Sequence, residues 1–177
     1  MIKSDELLLR SMKPDDYTLM VKWLNDSRIL EFYGDSPLSL DEVISKYSPR
    51  VEGKHYVKPF ILEYKNEPIG YIQCYKITEA EYKAYDYSEN ENIFGIDQFI
   101  GEVEHWNKGI GTLLVTLIVN YLVEHKKADR VVMDPQIRNT RAIRCYEKCG
   151  FEKVKILPKR ELHEGEYQDC WLIEYKN

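Results

Sequence analysis

Residues 93–112 read IFGIDQFIGEVEHWNKGIGT, and the rest of the chain is organised around this stretch. Its first eight residues are almost continuously apolar, which predicts a central strand buried on both faces. Its last five residues, KGIGT, open a helix, and glycines at a helix start let the backbone approach an anion such as phosphate. A single acid, Asp97, lies within the strand. The stretch therefore predicts an enzyme that holds a phosphorylated cofactor beside an acid–base group.

Each part of this interpretation has a plainer alternative. Asp97 can instead be satisfied by local hydrogen bonds, because a buried acid needs either a partner or a function. Glycine before a helix is common. The stretch is neither a P-loop nor a full G-x-G-x-x-G, since Leu114 stands at the third glycine position. The glycines alone leave the cofactor open.

The elements on either side indicate an α/β chain. A helix over 109–126 and a strand over 130–134 follow the central strand, and this order predicts a parallel pair of strands. One domain over 1–177 is expected, because a chain of this length can bury a single core. The patterns also predict a helix opening at Pro14, helices over 39–47 and 141–149, and strands over 7–10, 60–64, 69–75, 151–157 and 167–175.

Residues 78–92 interrupt this pattern with acids interleaved with tyrosines. A fifteen-residue loop inside a compact domain is often functional. Carboxylates attract a cation, and tyrosines offer flat faces that pack against it. The segment is therefore predicted to be a loop. It either lines a cation-binding pocket with acids such as Glu89 and Glu91, or is a solvated connector.

The composition limits the kinds of partner that we expect this protein to bind. The net charge of -5 disfavours nucleic acid and mildly suits a cationic ligand. The first ten residues show no apolar signal core, and no apolar run approaches the roughly 20 residues of a membrane helix, so we expect no membrane association and a cytoplasmic protein. The four cysteines form no C-x-x-C pair and the four histidines no H-E-x-x-H, so free thiols and no metal are expected.

A second motif gives the first one a specific meaning. Residues 139–151 read NTRAIRCYEKCGF and match N-x-x-A-x-x-x-Y-x-x-x-G-F. Together with KGIGT, this pattern resembles the acetyl-CoA site of the GCN5-related N-acetyltransferases. The usual first motif of that superfamily is Arg/Gln-x-x-Gly-x-Gly/Ala. Here Trp106 stands at the Arg/Gln position.

Within that superfamily the chain is similar to the aminoglycoside 6′-N-acetyltransferases over essentially its whole length. The resemblance is greatest to the acetylating half of the bifunctional acetylating and phosphorylating enzymes, and no phosphorylating half is expected before the end at Asn177. It implies a mixed, mostly antiparallel sheet of about seven strands with a splayed parallel pair, flanked by about four helices. The stretches that carry it are Trp23-Leu24, 31–34, 68–73, 95–101 and 134–151.

The resemblance implies direct acetyl transfer from acetyl-CoA to an amine. The pantetheine arm would lie along the backbone of the central strand, and the pyrophosphate would bind the amides at the helix start. By this resemblance the cofactor-binding residues are Phe99, Ile100, Gly101, Lys108, Gly109, Ile110, Gly111, Thr112, Asn139, Ala142 and Tyr146.

The resemblance also assigns the acid–base groups. Asp97 matches the general base and Tyr146 the group that protonates the leaving thiolate. An ordinary aspartate with a pKa of about 3.9 is a poor proton acceptor at neutral pH. Either burial raises the pKa of Asp97, or the residue mainly positions the amine and relays its proton through water. The expected acceptor-binding residues are Tyr33, Gln73, Glu89, Glu91, Asp97 and Asp134.

Two other functions stay open at this stage. The same fold can acetylate another amine, such as a polyamine, a siderophore precursor or a protein N-terminus. The domain can also be a non-catalytic module that binds coenzyme A, although the presence of both Asp97 and Tyr146 favours catalysis. The sequence is compatible with a monomer or a homodimer.

Overall fold

A mixed sheet of eight strands forms the centre of the computed structural model, which describes residues 1–4 and 6–177. The strands are β1 (Ile2–Ser4), β2 (Leu7–Ser11), β3 (Lys58–Tyr64), β4 (Glu67–Lys76), β5 (Ile93–Ile100), β6 (Arg130–Met133), β7 (Glu152–His163) and β8 (Glu166–Lys176). Their order in the sheet is β1-β2-β3-β4-β5-β6-β8-β7. β5 and β6 run parallel, and the other neighbouring pairs are antiparallel.

Helices cover both faces of this sheet. Within the described residues there are six α-helices, α1 (Tyr17–Trp23), α2 (Ser27–Leu30), α3 (Leu40–Val51), α4 (Glu79–Tyr85), α5 (Ile110–Lys126) and α6 (Thr140–Lys148). Short 3₁₀ turns precede α1 and α5. No helix in the described part of the chain is long and apolar enough to cross a membrane.

The parallel pair separates partway along its length, as expected. β5 and β6 pair only from Ile93↔Arg130 to Gly95↔Val132. β4 stays paired with β5 on its other side as far as Gly70↔Ile100. The backbone edge of β5 that faces β6 is therefore open from residue 96 onward.

Alternate residues of the central strands pack into different layers. Ile96 joins the cluster built on α5, together with Ile72 and Leu114. Phe99 joins the cluster beneath α1 and α3, with Tyr71. Because successive side chains of a strand point to opposite faces, Asp97 lies on the same face as Phe99. The core thus places the acid on the side that α1 and α3 cover.

The expected fold class is confirmed, but the element counts and one assignment differ. The structure adds β1, α2 and α4 to the predicted elements, so the described residues hold eight strands and six helices instead of about seven and four. The predicted loop over 78–92 was wrong in its first half, which forms α4. The side chain of Thr78 accepts a hydrogen bond from the Glu81 N–H, and the Glu81 carboxylate accepts one from the Thr78 N–H, which is a capping box.

Candidate active site

A cleft of about 860 Å³ opens where β5 and β6 separate. At one end it is lined by the start of α5 and by α6. At the other end it is lined by α2, α3 and β7. The expected site residues that line it are Tyr33, Gln73, Asp97, Phe99, Ile100, Gly109, Gly111, Thr112, Asp134, Asn139, Ala142 and Tyr146.

The start of α5 is shaped for an anion. Gly109 has a φ of +79°, a left-handed conformation that glycine adopts at little cost, and it is the residue that precedes the helix. Gly111 and Thr112 line the cleft. The first N–H groups of a helix have no partner inside it, so they are available to a phosphate here. Lys108 is exposed outside the lining residues, and Ile110 is buried in the core, so Ile110 can offer only its backbone.

Trp106 stands at the position where the usual motif has arginine or glutamine. Its indole Nε1 donates a hydrogen bond to the Ile100 carbonyl at 2.8 Å, which fixes the ring against the end of β5. The Arg141 guanidinium lies 4.0 Å from the ring centroid, a cation–π distance, and both residues line the cleft. A guanidinium is therefore present near the start of α5, but it comes from Arg141 of α6 and not from position 106.

Gly101 does not lie where we expected. It is absent from the lining residues, and its N–H donates to the Ile69 carbonyl at 2.8 Å. A Cβ on this residue would lie 2.4 Å from the Trp23 side chain. Gly101 therefore serves the close packing of Trp23 against the strand end, and Phe99 and Ile100 remain the residues of this stretch that line the cleft.

The residues of the second motif are brought together at the cleft. Asn139 caps α6, because its side chain accepts a hydrogen bond from the Ala142 N–H at 3.3 Å. Tyr146 is buried, and its hydroxyl accepts a hydrogen bond from Gln98 Nε2 at 3.0 Å. Burial raises the pKa of Tyr146 above its ordinary value, although the bond from Gln98 opposes this. The phenol consequently keeps its proton at neutral pH.

Asp97 is held by a chain of hydrogen bonds across the sheet. Gln73 lies directly opposite it on β4, and the Gln73 Nε2 donates to Asp97 Oδ2 at 2.7 Å. The Gln73 Oε1 in turn accepts from the Tyr71 hydroxyl at 2.8 Å and from Arg50 Nη1 at 2.7 Å. These two donors fix which end of the Gln73 amide faces Asp97.

The environment of Asp97 raises its pKa toward neutrality. Burial, followed by the negative charge of Asp134, raises the pKa of Asp97 to about 7, against the opposing bond from Gln73. This direction agrees with the first alternative given for Asp97, in which burial raises its pKa. A pKa of about 7 is the value that a general base at neutral pH requires.

Asp134 lines the cleft but already has a partner. Its Oδ2 accepts a hydrogen bond from Arg160 Nε at 2.8 Å. Arg160 also donates to the Tyr85 hydroxyl at 2.8 Å and lies 3.4 Å from a carboxylate oxygen of Glu81. An ammonium group that binds Asp134 must therefore share it with this arginine or replace it.

The two expected loop acids lie elsewhere. Glu91 accepts a hydrogen bond from Arg130 Nε at 2.8 Å, at the starts of β5 and β6, and Glu89 is exposed. Neither is among the residues that line the cleft. The reason is α4, which places Glu81 beside Arg160. After α4 the chain returns to the start of β5 at Ile93, away from the cleft, and Glu89 and Glu91 lie on this return. The expectation that Glu89 and Glu91 border the pocket is corrected accordingly.

Sequence reasoning also missed several residues of the cleft. Glu81 does not line the cleft but approaches Arg160, and the Thr-x-x-Glu spacing of 78–81 is a readable helix start that would have placed it. Long-range contacts bring Arg50 and Arg160 to the cleft, and no local pattern indicates them. Gln98 and Arg141 lie within the two quoted motifs but were not recognised as residues of the cleft. Within the described residues, no group of three or more His, Cys, Asp or Glu side chains is placed to hold a metal ion.

Comparison with known proteins agrees with this geometry. Residues 13–158 match the profile of a family described as an acetyltransferase (GNAT) domain. The chain therefore belongs to the GNAT family of acetyltransferases, and the expected family is confirmed.

Individual relatives indicate which acetyltransferases this chain resembles. The chain is 35% identical over 152 residues to the aminoglycoside N(6′)-acetyltransferase type 1 of Klebsiella pneumoniae, a match that covers 85% of this chain and 76% of the relative. It superposes with a TM-score of 0.78 and 30% identity on the crystal structure of the aminoglycoside acetyltransferase AAC(6′)-Ib with coenzyme A and kanamycin, covering 97% and 95% of the two chains. A shorter match, 26% identical over 98 residues, is to the spermine/spermidine N(1)-acetyltransferase of Bacillus subtilis, and covers 55% and 61% of the two chains.

Proposed function

We propose that this protein transfers the acetyl group of acetyl-CoA to the 6′-amino group of aminoglycosides and thereby confers resistance to them. The observation that carries the proposal is that one cleft joins an anion-binding helix start to a carboxyl group with a pKa of about 7. The aminoglycoside N(6′)-acetyltransferase relative matches most of this chain and most of its own length, and it indicates an aminoglycoside as the acceptor.

The α5 end of the cleft is the place for the cofactor. The amides that follow Gly109 would bind the pyrophosphate, with the guanidinium of Arg141 nearby. The open edge of β5 at Phe99 and Ile100 would pair with the pantetheine arm, and Asn139 and Ala142 would border it. When bound, acetyl-CoA supplies an activated thioester.

Asp97 would take the proton of the acceptor. The acceptor is an ammonium ion at neutral pH, and its nitrogen can attack only after a proton is removed. A carboxylate with a pKa of about 7 removes that proton far more readily than one with a pKa of about 3.9. Gln73 would keep the carboxylate pointed at the amine.

Tyr146 would act on the leaving sulfur. Its raised pKa keeps the hydroxyl protonated, so the group is a hydrogen-bond donor throughout the pH range of the reaction. A thiol has a pKa of about 8.5, below that of the buried phenol, so the donation stabilises negative charge as it develops on sulfur.

The acceptor would lie among the remaining residues of the cleft. Tyr33 packs edge-on against Phe99 with ring centroids 4.6 Å apart and offers an aromatic wall. Asp134 would bind a second ammonium of the substrate. The acidic net charge of the chain suits such a polycation.

Thiol release from acetyl-CoA in the presence of kanamycin tests the proposal. We expect turnover whose kcat/KM falls as the pH is lowered through about 7, because protonation removes the base. Asp97→Asn should lower kcat by about 10²- to 10⁴-fold, the usual worth of a general base. Asp41→Asn, an exposed acid at the start of α3, is the control and should leave kcat unchanged.

Two further measurements complete the test. NMR of the product should place the acetyl group on the 6′ nitrogen, and expression in a susceptible bacterium should raise the inhibitory concentration of the drug. The absence of turnover across a panel of 6′-amino aminoglycosides would refute the proposal.

A polyamine is the second candidate acceptor. The partial match to a spermine/spermidine acetyltransferase favours it over a peptide N-terminus. Spermidine in the same assay distinguishes the two candidates by kcat/KM. Tight acetyl-CoA binding without turnover of any acceptor would instead indicate a non-catalytic module.

A further inference from the structure

Arg160 occupies the part of the cleft where an acceptor cation would bind. Its guanidinium donates to Asp134 and to the Tyr85 hydroxyl, each at 2.8 Å, and approaches Glu81 at 3.4 Å. It also lies 5.6 Å from the Tyr85 ring centroid. Two carboxylates and a tyrosine therefore surround one positive charge, which is the set of partners that a substrate ammonium would also select.

The backbone directs Arg160 into this position. The pairing of β7 with β8 is irregular between Leu157 and Glu161, and Lys159 has a φ of +50°. The Lys159 N–H leaves the regular ladder and donates to the Asp169 carboxylate at 2.8 Å. Such bulges re-aim side chains and are frequent beside active sites. Arg160 is thus turned toward the cleft by a local feature of the hairpin.

The contact with Asp134 is one that a ligand can replace. The side chains of Arg160 and Asp134 are 34% and 24% exposed, so water reaches both. Ion pairs with this exposure contribute little net stability. An incoming ammonium would restore a partner to Asp134, while the guanidinium would move into solvent.

We propose that Arg160 is a displaceable occupant of the second cation subsite: it holds Asp134 when no acceptor is bound and leaves it when a second ammonium of the acceptor arrives. The inference rests on the proposed function, because it concerns an acceptor with more than one ammonium group. It makes Arg160 a specificity-determining residue, since an acceptor that brings a cation displaces the guanidinium and a neutral group cannot.

The kinetics of Arg160→Gln test this inference with an aminoglycoside that the wild-type protein acetylates. Removal of the competing guanidinium should lower the KM for the acceptor by roughly two- to fivefold, the fold-change that corresponds to a partly exposed ion pair. The KM for acetyl-CoA should stay unchanged. A purely structural arginine predicts the reverse, because its loss would leave Asp134 less well held and raise the KM for the acceptor.

A matched control removes the effect of net charge. Lys155→Gln deletes one positive charge from the same strand, at a residue that pairs with Asp86 and does not line the cleft. It should leave the KM for the acceptor unchanged. A monoamine acceptor supplies a second control, because it brings no second ammonium and its KM should respond little to Arg160→Gln.

Free methylguanidinium provides an independent readout. It should inhibit Arg160→Ala competitively against the acceptor by refilling the vacated position, and should not inhibit the wild-type protein in this way. If Arg160→Gln does not fold, Arg160→Lys carries the kinetic test, with a smaller fall in KM expected. An unchanged or raised KM for the acceptor, or no inhibition by methylguanidinium, would overturn the inference. Failure of the wild-type protein to acetylate any aminoglycoside would instead refute the proposed function.

Discussion

The pKa of Asp97 results from neighbours that act in opposite directions. Burial and the charge of Asp134 raise it, whereas the hydrogen bond from Gln73 lowers it. Gln73 is fixed by Tyr71 and Arg50, so the orientation of its amide is determined before any acceptor binds. Gln73 is therefore a positioning residue that also sets the pH at which Asp97 gains its proton.

Substitution of Gln73 tests that role. Gln73→Met removes the bond that lowers the pKa of Asp97, so the pKa should rise, and the fall of kcat/KM should begin at a higher pH by about half to one unit. The measurement is the pH profile of kcat/KM. Gln168→Met, on the β7–β8 hairpin outside the cleft, is the matched control. A profile that keeps its midpoint in Gln73→Met contradicts the assignment.

Arg141 should act on the cofactor and leave the acceptor unaffected. Its position over Trp106 places a positive charge beside the anion-binding start of α5. Arg141→Gln should raise the KM for acetyl-CoA by roughly two- to fivefold, on the order of a partly exposed charge contact, with the acceptor KM unchanged. Lys153→Gln, which removes a similar cation from the ring of Trp171 outside this cleft, is the control. An equal response of both KM values would argue against a cofactor role.

At the scale of elements, two helix starts line the cleft, and a third supports one of its residues, Arg160. α5 begins after the left-handed Gly109, α6 begins at the Asn139 cap, and α4 begins at the Thr78 capping box. The first two present backbone amides and side chains to the cleft. The third positions Glu81 and Tyr85 around Arg160.

The cap of α4 should matter more than that of a longer helix. With seven residues, α4 is too short to be stable alone. Thr78→Ala should lower the free energy of unfolding by about 1 kcal/mol and speed amide hydrogen exchange across α4. Ser39→Ala removes the same type of cap from the twelve-residue α3 and should leave exchange in α4 unchanged. Slow exchange in α4 of the Thr78 variant would show that tertiary packing alone holds this helix.

At the scale of the whole molecule, one sheet supports the core on both faces. The cluster around α5 and the cluster beneath α1 and α3 share the strands β3, β4 and β5. The cleft exists because the parallel pair separates while the rest of the sheet stays paired. Shared strands are the reason to expect a single folding unit.

Cooperative unfolding tests the prediction of one domain over residues 1–177. Trp23 lies in the α1 and α3 layer, and Trp171 packs against the cluster on the opposite face. Urea transitions followed by the fluorescence of variants in which Trp23 or Trp171 is the sole tryptophan, Trp106 being replaced in both, should coincide with each other and with far-UV circular dichroism. Separate midpoints would indicate two units.

The sequence by itself determined the features that neighbours along the chain control. KGIGT and NTRAIRCYEKCGF place helix starts and the Asn139 cap within a few residues, and the apolar run over 93–100 indicates a central strand. The parallel pair followed from the order of elements. The start of α4 was equally local, and its capping box was readable in residues 78–81.

Only the tertiary structure decided the electrostatics of the site. The pKa of Asp97 depends on Gln73 and Asp134, and the partner of Asp134 is Arg160, which is 26 residues further along the chain. Glu91, by contrast, is taken by Arg130. Charges interact through space and through the degree of burial, and neither quantity is encoded in the spacing of residues along the chain. The sequence therefore indicated which acids could act, and the packing of β7, α4 and β5 decided which of them line the cleft.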